Sequence, residues 1–292
     1  MLHGDARMRD RLRLRRPRIR RQRINQIIPN ALTVAALCAG LTAIRFALLG
    51  RWELAVFAVI VAGIFDGLDG RLARLLGGTS KFGAELDSLS DFVSFGVAPG
   101  VMIYLWTLHA FGGVGWAFVL LFAVCCALRL ARFNTAIGDP NPPSWAKFYF
   151  TGVPAPAGAG LILLPMMATF ELGSGVFDQP IVSAAALVLV ASLMISRIPT
   201  FSIKQIRLSP EHMLPALLFV GLAAAAVTSA PWTTFLCGGL IYLGSIPVSV
   251  WMQREARRST PAPMPPPALP ARSTPAETLA SERATPTASP PD

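Results

Sequence analysis

Eight long apolar stretches dominate the chain, near 31–50, 54–76, 92–109, 114–133, 153–170, 181–196, 213–229 and 232–251. Each approaches the roughly 20 residues that a helix needs to cross about 30 Å of hydrocarbon. In lipid every backbone polar group needs an internal partner, which leaves helices or a closed barrel. These runs are long and unbroken, unlike the alternating segments of a barrel, so they predict helices. The expected fold is all-α: a polytopic integral membrane bundle of about eight transmembrane helices over residues 27–252. Ahead of it, residues 1–26 form a basic arm expected to be disordered. Behind it, residues 253–292 are rich in Pro, Ala, Ser and Thr, lack periodicity, and are expected to be a disordered tail.

The second stretch breaks the pattern in an informative way. Its purely apolar part, Leu54–Phe65, is twelve residues, too short to cross unless the helix continues through Asp66–Leu76. Acidic residues therefore lie on a membrane helix near its end, not on a free loop.

Composition agrees with the hydropathy: 53% hydrophobic and only 14% charged, against about a quarter charged in soluble domains. The net charge of +10 comes with ten arginines between Arg7 and Arg23. Ahead of a first span, such a cluster reads as a cytoplasmic anchor on anionic lipid, and no nucleic-acid partner is expected. With the N-terminus inside, all 26 Lys and Arg except Arg45 and Arg51 fall in cytoplasmic segments, while Glu53, Glu171 and Asp178 lie outside. An odd number of spans would spoil this asymmetry, so both termini are expected to be cytoplasmic, in an inner (cytoplasmic) membrane. The apolar part Ala31–Gly50 is long for a signal peptide, and Leu37 before Cys38 is not a small residue, so the first span is expected to be retained. Cys38, Cys125, Cys126 and Cys237 all sit in apolar segments without metal-ligand spacing and read as small buried hydrophobes.

Candidate chemistry is concentrated in one short stretch. Asp66, Asp69, Gly70 and Ala73 follow i, i+3, i+4, i+7 and share a helix face. Gly83, Asp87 and Asp91 follow i, i+4, i+8 and share another, with Gly77-Gly78-Thr79-Ser80 turning the chain between them. Two antiparallel helices can thus aim two carboxylates each into one cleft. Four like charges in a low-dielectric cleft need neutralising, and an all-oxygen set suits Mg²⁺ or Mn²⁺. Intramembrane acids are functional by default. The small Gly70, Ala73 and Gly83 leave room for something bulky, such as a nucleotide diphosphate. Salt bridges to Arg71, Arg74 and Lys81 are the purely structural alternative.

The pattern Asp-x2-Asp-Gly-x2-Ala-Arg-x8-Gly-x3-Asp-x3-Asp, matched by Asp66, Asp69, Gly70, Ala73, Arg74, Gly83, Asp87 and Asp91, resembles the signature of the CDP-alcohol phosphatidyltransferase family. Ile28–Thr33 is similar to that family's entry to its first span. Arg129–Thr135, Gly152–Ala157 and Ser196–Lys204 look like segments of its phosphatidylserine synthase subgroup. The resemblance runs from about Ile28 to Trp251. An unrelated phospholipase-D-like route to the same lipid needs His-x-Lys motifs, and His3, His109 and His212 have no Lys two residues on.

The resemblance implies a paired-metal site of Mg²⁺ or Mn²⁺ held by Asp66, Asp69, Asp87 and Asp91, with Asp91 also the general base. It implies a CDP-linked lipid, CDP-diacylglycerol, as donor and L-serine as acceptor, giving phosphatidylserine and CMP, in a protein that is often a homodimer among membrane lipids. Asn30, Thr33, Asp66, Asp69, Gly70, Ala73, Arg74 and Gly83 are the expected contacts to the CDP-lipid. The acceptor's carboxylate needs a cation; Arg132, Arg197 and Lys204 are candidates, with Asn134 beside them and Arg129 divided evenly between this role and marking a helix end. Ser80, Ser88, Ser90 and Ser94 lack a nearby base and read as packing or polar lining. Two alternatives stand: a sister enzyme using glycerol 3-phosphate or inositol phosphate, which needs more basic residues at the cleft, and a cation-coupled transporter, which predicts internal repeats and mid-membrane acids.

Overall fold

The computed structural model describes residues 4–78, 80–137, 149–196, 199–201 and 213–259. Nine α-helices occur among them: α1 Gly4–Leu48, α2 Trp52–Leu76, α3 Lys81–Asp91, α4 Ala98–Trp106, α5 Gly112–Ile137, α6 Ala155–Leu172, α7 Pro180–Ile195, α8 Met213–Ser229 and α9 Pro231–Ser259. A π-helical stretch, Phe92–Val97, joins α3 to α4, and a 3₁₀ turn, Leu108–Phe111, leads into α5. Five segments are long and apolar enough to cross a membrane: Asn25–Leu48, Lys81–Trp106, Leu108–Thr135, Ala155–Leu172 and Pro231–Ser249. Two further apolar helices, α7 and α8, are shorter. The chain is a multi-pass integral membrane protein built as a helical bundle.

Two boundaries differ from the hydropathy reading. The segment crossing near residues 92–106 begins at Lys81, because the polar turn carrying Asp87 and Asp91 runs into the apolar helix without a break. Helix α1 reaches back to Gly4 through the arginine-rich arm, which was expected to lack regular structure; arginine has good helix propensity. The tail beyond Ser259 lies outside the described residues.

The bundle is organised on α1, which packs most extensively against α2, and on α5, which packs against α7. Pro29, Thr33, Ala36, Gly40, Ala43 and Ala47 form the buried seam of α1. Their spacing alternates four and three, and their small size lets neighbouring backbones come close, as membrane helix interfaces require. At Gly40 an added Cβ would sit 2.5 Å from Ser94 Oγ. Behind this seam Phe95, Met102, Ile103, Phe122, Ile162, Leu163, Met166, Leu187 and Met194 fill the core. One buried polar bridge, Thr107 Oγ1 to Ser183 Oγ at 2.8 Å, ties the 3₁₀ turn to α7. Helix α8 has no buried residue, and Leu214, Leu218 and Phe219 are more than two-thirds exposed. Such a surface is stable only with hydrocarbon as its solvent.

One two-stranded antiparallel sheet interrupts the helical architecture. β1 (Tyr149–Thr151) pairs with β2 (Pro199–Phe201) in the register Phe150 to Thr200, joining the segments that follow α5 and α7. Beside it Gly152 takes φ +80°, and a Cβ there would lie 2.6 Å from the Met194 carbonyl. Glycine alone meets both demands.

Candidate active site

The site forms where the C-terminal part of α2 and helix α3 meet the middle of α1. Helix α2 stops at Gly77, whose φ of +60° makes the left-handed cap. Asn25 Nδ2 donates to the Leu76 carbonyl at 2.9 Å, closing an orphan acceptor of that helix end. Gly78 passes so near α1 that a Cβ would lie 2.1 Å from the Asn25 carbonyl oxygen. Ser80 then caps α3, accepting from the Gly83 amide at 3.0 Å. A Cβ on Gly83 would meet Asn30 Oδ1 at 2.9 Å, so this glycine lets α3 approach α1. Ser90 and Ser94 donate to the Thr33 and Ala36 carbonyls of α1 at 3.1 and 3.2 Å. The turn and the serines thus hold α3 against α1, and α2 faces both.

Within this frame three of the four acids converge. One carboxylate oxygen from each of Asp66, Asp69 and Asp87 lies within 4.8 Å of the others. Asp69 is buried, and Thr33 Oγ1 donates to its Oδ2 at 2.6 Å. Asp91 stands outside that triad, beside Asp66. Acids this close repel one another unless positive charge enters between them. Oxygens around one Mg²⁺ at about 2.1 Å lie roughly 3–4 Å apart, so the triad needs little closure to hold a divalent cation. The donor set is all oxygen, as a hard cation requires.

A cleft of about 390 Å³ opens beside the triad. Pro29, Asn30 and Thr33 line it from α1, Asp69, Gly70, Ala73 and Arg74 from α2, and Gly83, Ala84 and Asp87 from α3, with Gly78 and Ser80 of the turn. Every expected contact to a CDP-lipid except Asp66 is in this wall. Gly70 has open space where its Cβ would be. Its smallness therefore serves the cleft and not helix packing.

The acceptor candidates are placed differently. Arg132 donates from Nη1 to the Ile195 carbonyl at 2.9 Å and from Nη2 to the Met194 carbonyl at 3.2 Å, capping α7. Asn134 Nδ2 donates to Ser88 Oγ at 2.8 Å and braces α5 on α3. Arg197 and Lys204 lie outside the described residues. Arg129 lies within electrostatic reach of Asp91 and Tyr242. Pro29 and Gly78 were not anticipated in the cleft wall, although each lies in a segment that the sequence singled out, the entry to the first span and the turn between α2 and α3.

Comparison of the sequence with known proteins points to one family. A sequence model described as CDP-alcohol phosphatidyltransferase matches residues 26–203, and one described as CDP-alcohol phosphatidyltransferase 2 matches residues 211–247. A CDP-diacylglycerol–serine O-phosphatidyltransferase of Mycobacterium leprae is 40% identical over 239 residues, covering 82% of this chain and 79% of the relative. Proteins of the same name from Helicobacter pylori and Bacillus subtilis are 35% and 33% identical. They align over 67% and 59% of this chain, and 81% and 88% of their own lengths.

Proposed function

The chain belongs to the CDP-alcohol phosphatidyltransferase family, and from that premise we propose that it moves the phosphatidyl group of CDP-diacylglycerol to the hydroxyl of L-serine, releasing CMP and leaving phosphatidylserine. The observation that carries this reading is the gathering of Asp66, Asp69 and Asp87 within 4.8 Å of one another, beside a cleft walled by small residues. The similarity to serine-using relatives supports the acceptor.

The cleft holds the nucleotide end of the donor, with Asn30, Thr33 and Arg74 as polar contacts and Gly70, Ala73 and Gly83 giving it room. Asp66, Asp69 and Asp87, with Asp91 beside them, would hold two divalent cations, Mg²⁺ or Mn²⁺. When bound, those ions supply the positive charge that polarises the pyrophosphate and stabilises departing CMP. Asp91 accepts the proton of the serine hydroxyl as its oxygen bonds to the phosphatidyl phosphorus and the bond to CMP breaks. Thr33 keeps Asp69 oriented through its hydroxyl. Positioning and charge placement do most of the work in such a displacement; no covalent enzyme intermediate is needed.

Eight crossings account for the topology: the five long apolar segments, α7, α8, and α2, whose 25 residues suffice although its end is charged. Both termini and the aspartates then face the cytoplasm, in the inner membrane, where lysine and arginine accumulate.

The direct test supplies purified protein with CDP-diacylglycerol, Mn²⁺ and a panel of serine, glycerol 3-phosphate and inositol phosphate. Serine-dependent CMP release is expected. Release only with a phosphorylated acceptor would assign a sister activity instead.

A further inference from the structure

Close to the aspartates, the described cations are not equally engaged. Arg132 gives its terminal nitrogens to the last carbonyls of α7, and Asn134 gives its amide to Ser88. Both brace helices. Arg129, one turn earlier on α5, is different. Its Nε is buried and has no hydrogen-bond partner among the described residues. A buried donor left so costs about 1–3 kcal/mol, and more when charged. Arg129 lies near enough to Asp91, and to Tyr242 of α9, to feel their charge. Yet among the described residues no ion pair within 4.0 Å joins Arg129 to Asp91. A cation and an acid therefore face one another without closing. Neither Arg129 nor Asp91 lines the nucleotide cleft, so this polar pair lies away from the wall that α1 and α2 provide.

We infer that Arg129 receives the carboxylate of the acceptor and so selects a carboxylate-bearing alcohol; the inference rests on the serine reading above. Serine's carboxylate and hydroxyl are separated by two carbons, so a molecule held at Arg129 presents its hydroxyl toward Asp91. The attacking hydroxyl and the departing CMP then lie on different sides of the phosphorus, as an in-line displacement requires. A site built around an unpaired guanidinium rejects an analogue that lacks the carboxylate.

The test compares L-serine with serine amide, which keeps the hydroxyl and amine but has no carboxylate, using the full-length protein in detergent with CDP-diacylglycerol and Mn²⁺. Arg129→Gln is expected to raise the KM for serine by about 10- to 100-fold, the value of a charge-assisted hydrogen bond. Any change in the KM for CDP-diacylglycerol or in turnover of serine amide is expected to be much smaller, so the preference for serine over serine amide collapses. A kcat loss shared by both acceptors, or an unchanged preference, overturns the inference and leaves Arg129 a structural partner of Asp91. Should Arg129→Gln fail to fold, Arg129→Lys decides: loss of the planar fork is expected to raise the serine KM about fivefold with serine amide unaffected, and an unchanged serine KM overturns the inference. A native protein that uses glycerol 3-phosphate and not serine overturns the underlying reading first, and this one with it, before any variant is made.

Discussion

Thr33 and Asp69 are 36 residues apart and meet in a 2.6 Å hydrogen bond. Thr33→Val keeps the shape and removes the donor, at an expected cost of about 1.5–3 kcal/mol for a bond to a charged group. We expect about a tenfold higher Mn²⁺ concentration for half-maximal CMP release, measured by metal titration. The glycines divide by what surrounds them. Gly70 faces open space, so Gly70→Ala is expected to melt like the native protein while raising the KM for CDP-diacylglycerol. Gly78 lies against the Asn25 carbonyl, so Gly78→Ala is expected to lower the melting temperature. Helical spacing alone puts Asp66 with Asp69 and Asp87 with Asp91, whereas Arg74 entered only through the family signature. The bracing of Arg132 and Asn134 was not legible: their partners, the α7 carbonyls and Ser88, are 46 to 63 residues away.

Among the elements, α1 does the most to place the chemistry. Its seam from Pro29 to Ala47 consists of small residues on an alternating four-three spacing, and two serines of the facing helix donate to its carbonyls. Gly40→Val would drive a branched side chain into Ser94. It is expected to cost about 1–3 kcal/mol as overpacking, read as a lower melting temperature with the KM for CDP-diacylglycerol little changed. Immediately after Asp91 the helix widens into its π-helical stretch, a feature often found at functional sites. Hydropathy located the apolar half of this helix but not its polar beginning at Lys81. A window average falls wherever charges and apolar residues mix, although the backbone continues through both.

For the molecule as a whole, the long apolar runs foretold a membrane bundle, and the exposed apolar faces of α8 and α9 agree with it. A cysteine introduced at Ser174, between α6 and α7, is expected to label from outside the membrane, and one introduced at Gln253 from inside, in a background without the native cysteines. The small sheet was not legible, since three-residue strands carry no periodic signal. The central claim is that the aspartate cluster, loaded with a divalent cation, joins serine to a phosphatidyl group. Its most direct test follows labelled L-serine into extractable lipid, using purified native protein and Asp91→Asn with CDP-diacylglycerol. The account predicts labelled phosphatidylserine from the native protein with Mn²⁺ or Mg²⁺, none after EDTA, and at least about a 100-fold loss in Asp91→Asn, in keeping with general-base catalysis. Labelled lipid formed at native rates by Asp91→Asn, or in EDTA, would contradict it.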